Sequence, residues 1–353
     1  MSALWTDTIT RLTPYVPGEQ RSGVDIVKLN TNENPYPPSP NVLQAIASVS
    51  GDQLRRYPDP ESVELRQVLA DYHGLNLDEV FVGNGSDEIL ALAFLAYFTN
   101  NKVLQFPDIS YSFYPVYCDL YGIRAQTIQL ELDYTINLDR FEPNAGGIVF
   151  PNPNAPTAMD VSTQSIEQLL ARHTEQVLLV DEAYADFGAQ SVVPLIKQYS
   201  NLLVSHTFSK GRSLAGMRLG VAFGHKDLIE GLQRVKNSFN SYPVDALAQV
   251  AGVASMQDEG YYRSTMGTIM QTRENTVQAL RERGFEVLPS SANFVFARPP
   301  ANATNDSANR LFQKLDNAGV LVRYWSKPKL DQWLRISIGT NEEMQKLMNC
   351  FDA

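Results

Sequence analysis

Cysteine is scarce in this chain: Cys118 and Cys350 are the only two in 353 residues, and they show no metal-ligand spacing. A disulfide framework and a cysteine-built zinc site are thereby excluded, and a reduced setting is expected. The four histidines, His73, His173, His206 and His225, are scattered without metal-site spacing. Of these only His206 lies near the chemistry described below, and its place in an apolar strand reads as a core or strand-end histidine. Basic charge is also in deficit, since 29 Lys and Arg against 39 Asp and Glu leave a net charge of −10. That balance argues against nucleic acid or an anionic membrane as the principal partner. Long apolar runs are missing, and the longest block, Ile89 to Phe98, is too short to span a bilayer. The opening MSALWTDTITRLTPY lacks a charged start followed by a continuous apolar core, so a cytoplasmic location is expected. Neither a Walker loop nor a complete GxGxxG fingerprint is present.

What is there is alternation. From about residue 40 to 245, apolar strand candidates (Val80 to Val82, Lys102 to Phe106, Ala125 to Leu130, Gly147 to Phe150, Val177 to Val180, Leu202 to Thr207, Gly220 to Phe223) are separated mostly by helix-like stretches. This predicts an α/β fold with a mostly parallel central sheet and helices on both faces. Three parts are expected: residues 1–38 as an extended arm and loop, 39–245 as a large domain, and 246–353 as a smaller α+β domain on which the arm packs. The smaller part opens with a helical pattern from about Ala246 to Arg283, which Gly284 ends. The strands EVLPS, NFVFARP, LVRYW and LRISIG follow, with a helix of about Ala308 to Ala318 among them, and the polar stretch Ala301 to Asn309 reads as a surface loop.

The segment SHTFSKGRSLAGMRLG, Ser205 to Gly220, places one lysine among hydroxyl donors and a later arginine. Lys210 is the candidate nucleophile, because a neutral lysine amine attacks carbonyls. Thr207, Ser209 and Arg218 are residue types that hold a dianionic phosphate, so the combination suggests an aldehyde cofactor carrying a phosphate. Upstream, VLLVDEAYADF runs a wholly apolar, buried-strand pattern into Asp181, with Tyr184 three residues on. At the carboxyl end of a parallel strand Asp181 is available to a cofactor's ring nitrogen, and Tyr184 to its phenolic oxygen. Taken alone, the segment equally allows Asp181 to be a helix N-cap. A third element, VFVGNGSDEIL, is a strand followed by Gly85, Ser86 and Asp87 and then a helical apolar pattern, a turn whose backbone amides can cradle phosphate.

In their chain order these three segments resemble the fold-type I pyridoxal 5'-phosphate enzymes of the aspartate aminotransferase superfamily. More narrowly, the chain resembles the histidinol-phosphate aminotransferase family along nearly its whole length, through LTPYVPG, NENPYPPSP, RRYPDPE, the GSDE turn, ISYSFY, PNPNAPT, DEAYADF, the lysine segment, VLVRYW and WLRISIGTNEE. The resemblance implies that Lys210 condenses with the cofactor aldehyde and shuttles the proton, while Asp181 pairs with the pyridine nitrogen. It implies that Tyr184 and an asparagine of the PNPNAPT loop bind the ring hydroxyl, and that Tyr111 stacks on the ring. Gly85, Ser86, Asp87, Thr207, Ser209 and Arg218 would hold the cofactor phosphate. Tyr57 would reach that phosphate from the other subunit of an obligate homodimer with shared sites. One departure stands out: the superfamily loop carries asparagine directly before proline, where this chain has Ala155, and Ala158 replaces the usual glycine. Either Asn154 or Asn152 then takes the ring-binding role.

Substrate recognition is expected from the C-terminal part, where LVRYW and QWLRISIG each supply an arginine. Leu334, Ile336 and Ile338 alternate with Arg335 and Ser337, as in a strand with one polar face. Guanidinium forks bind carboxylate and phosphate alike. By resemblance, Arg323 and Arg335 with Tyr15 would grip the phosphate of histidinol phosphate in one half-reaction and a carboxylate of glutamate in the other; read alone, Arg323 is also compatible with a surface ion pair. The net change implied is histidinol phosphate plus 2-oxoglutarate to imidazole-acetol phosphate plus glutamate. An aromatic amino acid aminotransferase and a decarboxylase of a phosphorylated amino acid would use the same cofactor set. A non-catalytic phosphate-binding domain is disfavoured by the joint presence of Lys210, Asp181 and Tyr184.

Overall fold

The computed structural model describes residues 4–15, 18–21, 23, 25–301 and 306–352. The expected loop at Ala301 to Asn309 and the LTPYVPG segment therefore lie partly outside the described residues. After a short helix α1 (Asp7–Arg11), strand β1 (Val27–Lys28) precedes the helices α2 (Pro40–Ala47), α3 (Gly51–Leu54) and α4 (Val63–His73). Next come β2 (Val80–Asn84), α5 (Gly85–Tyr97), β3 (Leu104–Pro107), α6 (Phe113–Tyr121), β4 (Ala125–Ile128), β5 (Gly147–Pro151) and α7 (Thr163–Arg172). The central part ends with β6 (Leu178–Asp181), β7 (Leu202–Thr207), β8 (Leu219–Gly224), α8 (Lys226–Phe239) and α9 (Ala246–Gln257).

The seven expected strands of this part form one sheet in the order β2-β8-β7-β6-β5-β3-β4. It is parallel from β7 through β4, whereas β8 runs antiparallel to both β2 and β7. Side chains alternate between two buried faces, as a strand period of two requires. Leu178, Val180, Leu202, Val204, Val221 and Phe223 enter one core, shared with α4, α7 and α9. Leu179, Leu203, Ala222 and Phe81 enter the other, against α5, α6 and α8. Both faces are apolar, which is why these strands read as continuous hydrophobic runs. The same alternation aims Asp181, Ser205 and Thr207 at the α5/α6 face, and His206 at the opposite one.

The remaining chain contributes α10 (Glu259–Glu282), β9 (Glu286–Val287), β10 (Phe294–Arg298), α11 (Ser307–Asn317), β11 (Val320–Leu321), β12 (Arg323–Tyr324), β13 (Leu334–Ser337) and α12 (Asn341–Asp352). A four-stranded sheet, β12-β13-β10-β9, packs over its own core. Three expectations are corrected here. The helical run from Ala246 breaks at Asp258, which leaves helical geometry (φ −99°, ψ 59°) and accepts a hydrogen bond from Asn41 Nδ2. LVRYW is two strands: β11 pairs with β1, and β12 pairs with β13, the chain changing sheets at buried Val322. The arm is more than an extended loop, since it carries α1 and supplies β1 to that two-stranded sheet.

Candidate active site

Lys210 lies in the turn that leaves the carboxyl end of β7, and its Nζ donates to the Thr31 carbonyl at 3.0 Å. The turn is held from several sides. Asn34 Nδ2 donates to the Lys210 carbonyl (3.0 Å), and Gly211 packs so closely on Asp186 that a Cβ there would overlap the carboxylate. Arg212 is fixed by the Ser255 carbonyl (2.8 Å) and by the ring of Tyr262, whose centroid lies 3.7 Å from its Cζ. With the backbone fixed, the lysine side chain retains only its own torsions, and its amine comes 5.8 Å from the Tyr184 ring centroid. The Tyr184 hydroxyl in turn accepts from Asn32 Nδ2 at 3.0 Å.

Asp181 is the last residue of β6 and only 4% exposed. Both of its oxygens are engaged: Ser205 Oγ donates to Oδ1 (2.8 Å) and the Tyr114 hydroxyl donates to Oδ2 (3.2 Å). Burial pushes its pKa up to about 6; those two hydrogen bonds pull the other way, and the charge of Asp87 adds to the rise. Such a carboxylate is poised to favour a cation brought against it. Tyr111 stands edge-on to Tyr114 and donates its hydroxyl to Asp87 Oδ1 at 2.9 Å, with burial first and Asp87 second raising its pKa well above the ordinary phenol value.

The start of α5 lies beside these groups. Asn84 gives it no side-chain cap, so the first amides of the helix point outward from Gly85, Ser86 and Asp87. Gly85 has φ +82°, and a Cβ there would come within 2.6 Å of Arg218 Nη2. Gly220 on β8 allows the same approach from below, because its Cβ would lie 2.5 Å from the Ser86 nitrogen. Arg218 reaches over the turn, bonding Asp87 Oδ2 at 2.9 Å and approaching Ser209 Oγ at 3.5 Å. Thr207 Oγ1 accepts from the Ser209 amide at 3.1 Å. The Asp87 carboxylate is thus committed to Arg218 and Tyr111, and what it offers an incoming anion is its backbone amide. This cradle, an uncapped helix start with an arginine and two hydroxyls, suits a phosphate.

Of the two asparagines in the PNPNAPT loop, Asn152 is fully used by Val161, whose amide and carbonyl it bonds at 2.7 and 3.2 Å. Asn154 donates to the Ile109 carbonyl and to Thr157 Oγ1, both at 3.0 Å, and its buried Oδ1 has no partner. Asn154 is therefore the one with spare capacity for a ligand.

Arg335 and Arg323 face each other directly across the β12–β13 ladder. Like charges opposite each other are unfavourable, and among the described residues no acidic side chain forms an ion pair with either. Arg335 Nη2 donates to the Asn30 carbonyl (2.8 Å), its Nε is buried without a partner, and its guanidinium lies between the rings of Phe294 and Trp325 at 5.3 and 5.4 Å. Burial draws its pKa below the ordinary value; Tyr184, Tyr15 and Tyr111 lie near enough to oppose that, and Arg323 adds to it. Tyr15 packs on Phe113 at 4.5 Å. On the polar face of β13 Arg335 is half-buried and Ser337 is buried, exchanging hydrogen bonds with Asn32 by accepting from its amide (2.9 Å) and donating to its Oδ1 (2.8 Å). Tyr57 is the one expected site residue not brought to this cluster within the chain; it is 81% exposed and stacks on Tyr242 at 4.6 Å.

Beneath the site, on the other sheet face, His206 Nε2 and Glu182 Oε2 lie 2.7 Å apart. This is the core histidine the strand pattern indicated. The residues that sequence reasoning passed over are Thr31, Asn32, Asn34, Tyr114 and Ser205. Asn32, with φ +55°, sits in NENPYPPSP, and Tyr114 lies three residues after Tyr111, but neither residue type is singled out by its surroundings in the chain.

The sequence pattern described as aminotransferase class I and II matches residues 24–351. A Hydrogenovibrio crunogenus protein named histidinol-phosphate aminotransferase 1 is 52% identical over 347 residues, spanning 98% of this chain and 96% of its own. A Pseudomonas putida protein named histidinol-phosphate aminotransferase is 49% identical over 349 residues, spanning 99% of each. Among solved structures, the Sinorhizobium meliloti histidinol-phosphate aminotransferase in complex with pyridoxal-5'-phosphate superposes with a TM-score of 0.89 at 24% identity, over 99% of this chain and 97% of that one, a likeness of fold. With its catalytic-type lysine, its strand-end carboxylate and these relatives, this chain belongs to the aminotransferase class I and II family.

Proposed function

We propose that this chain is a pyridoxal 5'-phosphate-dependent transaminase of L-histidinol phosphate, with 2-oxoglutarate as acceptor and imidazole-acetol phosphate and L-glutamate as products, a step of histidine biosynthesis. The observation that carries the substrate reading is the Arg323/Arg335 pair: two facing guanidiniums without an acidic partner among the described residues, one with a buried orphan N–H. Two such cations beside the lysine call for an anionic substrate group, and a fork that suits phosphate also suits the carboxylate of the second substrate. The names of the relatives at 52% and 49% identity support the same substrate.

The residues fit the cofactor. The α5 start with Thr207, Ser209 and Arg218 would hold its phosphate, Asp181 its ring nitrogen, Tyr184 and Asn154 its ring hydroxyl, and Tyr111 its face. When bound, pyridoxal phosphate supplies an aldehyde for the amino group and a ring that takes up the electrons left when the α-proton departs. Lys210 Nζ carries that proton away and returns it, and Asp181 as an anion keeps the ring nitrogen protonated. Asn32 and Tyr114 orient Tyr184 and Asp181 through the hydrogen bonds described above. Tyr57, exposed in its own chain, serves the cofactor phosphate of a second copy, in a homodimer with shared sites. A cytoplasmic location belongs to the same reading, and the smaller part begins after α9 rather than at the expected residue 246, because Ala248, Ala251, Val253 and Met256 of α9 lie in the core of the central sheet.

Two experiments test it. Borohydride fixation of the holoenzyme followed by peptide mapping places the label on Lys210; a label elsewhere overturns the nucleophile. Arg335→Leu lowers kcat/KM for histidinol phosphate and for glutamate together, each by roughly 100-fold, the scale of a lost charge-assisted hydrogen bond. A loss confined to one substrate refutes the shared pocket.

A further inference from the structure

Among the described residues, Lys236 is a buried lysine that the reaction does not use. It lies in the last turn of α8, is 2% exposed, and spends its ammonium on a loop: Nζ donates to the Pro60 carbonyl at 2.8 Å and to Glu61 Oε1 at 3.0 Å. Burying an ammonium is costly unless its donors are all answered, so this placement demands a return. The loop it holds, Tyr57 to Ser62, is tied at other points as well. Gln249 Nε2 donates to the Asp59 carbonyl at 2.9 Å, and the Asp59 carboxylate accepts from the Glu61 and Val63 amides at 3.0 and 2.7 Å. Arg66 approaches Glu61 at 3.5 Å while its other nitrogens hold the Val80 and Leu77 carbonyls at 2.8 Å.

So heavily anchored a loop carries an aromatic ring that is largely in solvent. Tyr57 stacks on Tyr242, just beyond α8, and Phe239, in the same last turn as Lys236, is 82% exposed. An exposed aromatic pair carried on a hydrogen-bonded loop has the character of an interface anchor, with part of its ordering cost met before association. The cluster also adjoins the phosphate cradle, since Asn84, the residue before Gly85, donates from Nδ2 to the Pro243 carbonyl at 3.1 Å. Two side chains of that cradle, Arg218 and Asp87, are 46% and 42% exposed and accessible to a neighbouring group.

We propose that Lys236 is a positioning residue acting across the subunit interface: its buried ammonium fixes the Tyr57–Glu61 loop so that Tyr57 completes the phosphate cradle of a second copy of the chain. The inference rests on the reading of Tyr57 given under the proposed function, and goes beyond it in assigning the device that aims the ring. A lysine acting only on its own chain would leave its partner's cofactor affinity untouched, and hybrid dimers separate the two.

Pyridoxal phosphate is titrated into apoenzyme, with binding followed by visible absorbance, for Tyr57→Phe, Lys236→Met and two hybrids prepared from differently tagged chains. Tyr57→Phe raises the dissociation constant roughly tenfold, the scale of one hydrogen bond to a charged group. If it does not, the shared-site reading itself fails. Lys236→Met gives a rise of similar size, with kcat at saturating cofactor little changed; normal affinity in this variant beside a weakened Tyr57→Phe overturns the role of Lys236 alone. In the first hybrid a Lys236→Met chain is paired with a Lys210→Ala chain, so the only lysine-linked cofactor sits in the Lys236→Met subunit and is served by an intact loop. Its affinity returns to the wild-type value. In the second, one chain carries both substitutions and its partner is wild type; the reporting site is then served by the loosened loop and is weak. The opposite pattern, with the defect following the mutated chain's own site, overturns the proposal. Should Lys236→Met not fold, Gln249→Ala, which releases the Asp59 carbonyl, shows the same crossed pattern with a smaller rise, and a defect confined to its own site is equally fatal.

Discussion

The proposed role of Asp181 requires an anion in a place that disfavours anions, and its two hydroxyl neighbours offset part of that cost. Tyr114 and Ser205 each donate to one oxygen, while Asp87 on α5 repels; Tyr117 on α6 and His206 on β7 are further ionisable groups within electrostatic reach. Removing the Tyr114 hydroxyl deletes a bond that favours the charged form, so the pKa of Asp181 rises further above about 6. For Tyr114→Phe we expect the acid-side loss of pyridoxal phosphate affinity to move upward by about one pH unit, the equivalent of one modest hydrogen bond. Cofactor titrations between pH 5 and 8 check this. A variant less stable to heat but with an unmoved pH profile would show Tyr114 to be packing only. At this scale the sequence was informative where chemistry restricts the residue type. A nucleophilic amine, a ring-pairing carboxylate and phosphate-binding hydroxyls are few and sit in recognisable surroundings, so Lys210, Asp181, Thr207 and Ser209 could be named as candidates. Tyr114, Asn32 and Ser205 act by where their hydroxyl or amide ends up, and tyrosine, asparagine and serine in a helix, loop or strand carry no such mark.

At the scale of elements, the phosphate cradle exists because β8 and the start of α5 touch backbone to backbone. Gly220 is the contact: a methyl there would lie 2.5 Å from the Ser86 nitrogen, and backbone cannot swing aside as a flexible side chain can. Gly220→Ala should therefore displace the first turn of α5, costing about 1–3 kcal/mol of stability, as overpacking does. Pyridoxal phosphate affinity should fall with it. Measuring the thermal midpoint of the apoenzyme beside the cofactor dissociation constant tests the link; a stability loss with unchanged affinity would sink it. The inner strands of the main sheet were legible because both of its faces are buried there, which turns them into apolar runs bounded by polar or glycine residues, whereas the edge strand β4 is largely exposed. Helix and strand breaks were not. Asp258 interrupts α9 and α10 while the helical pattern runs on, because a tie from Asn41 takes over there. LVRYW reads as one strand, yet at Val322 its partner changes from β1 to β13, a choice made by tertiary neighbours invisible in the segment itself.

For the molecule as a whole, composition bounded the class and the alternation bounded the fold, but its response to pH depends on groups whose surroundings only folding creates. Three of them pull in different directions. Asp181, with its pKa raised above 3.8, and His206, where burial lowers the pKa but Glu182, Asp186 and Asp181 together raise it above 6.5, both bind protons more tightly when folded. Their contributions are full below the unfolded values and are lost as pH rises through the folded ones. His73 is the reverse. It lies between α4 and the sheet, 4.5 Å from the Phe223 ring and 5.8 Å from His206, and burial first, then His206 and Arg212, depress its pKa to about 3. Its neutral form fits; its charged form does not. The stability it contributes is complete above pH 6.5 and drains away as pH falls toward 3, because the unfolded chain takes up the proton first. Between pH 7 and pH 5 that loss amounts to about 2 kcal/mol, one and a half pH units at 1.36 kcal/mol each. His73→Gln keeps a polar side chain of similar reach with nothing to titrate. The stability gap between wild type and variant should thus shift by about 2 kcal/mol in favour of the variant when urea unfolding is repeated at pH 5 instead of pH 7. With His206→Gln introduced in both proteins, to remove the coupled neighbouring imidazole, Asp181 cancels in that difference, and a gap that stays constant with pH would mean that His73 is already free to charge in the folded state.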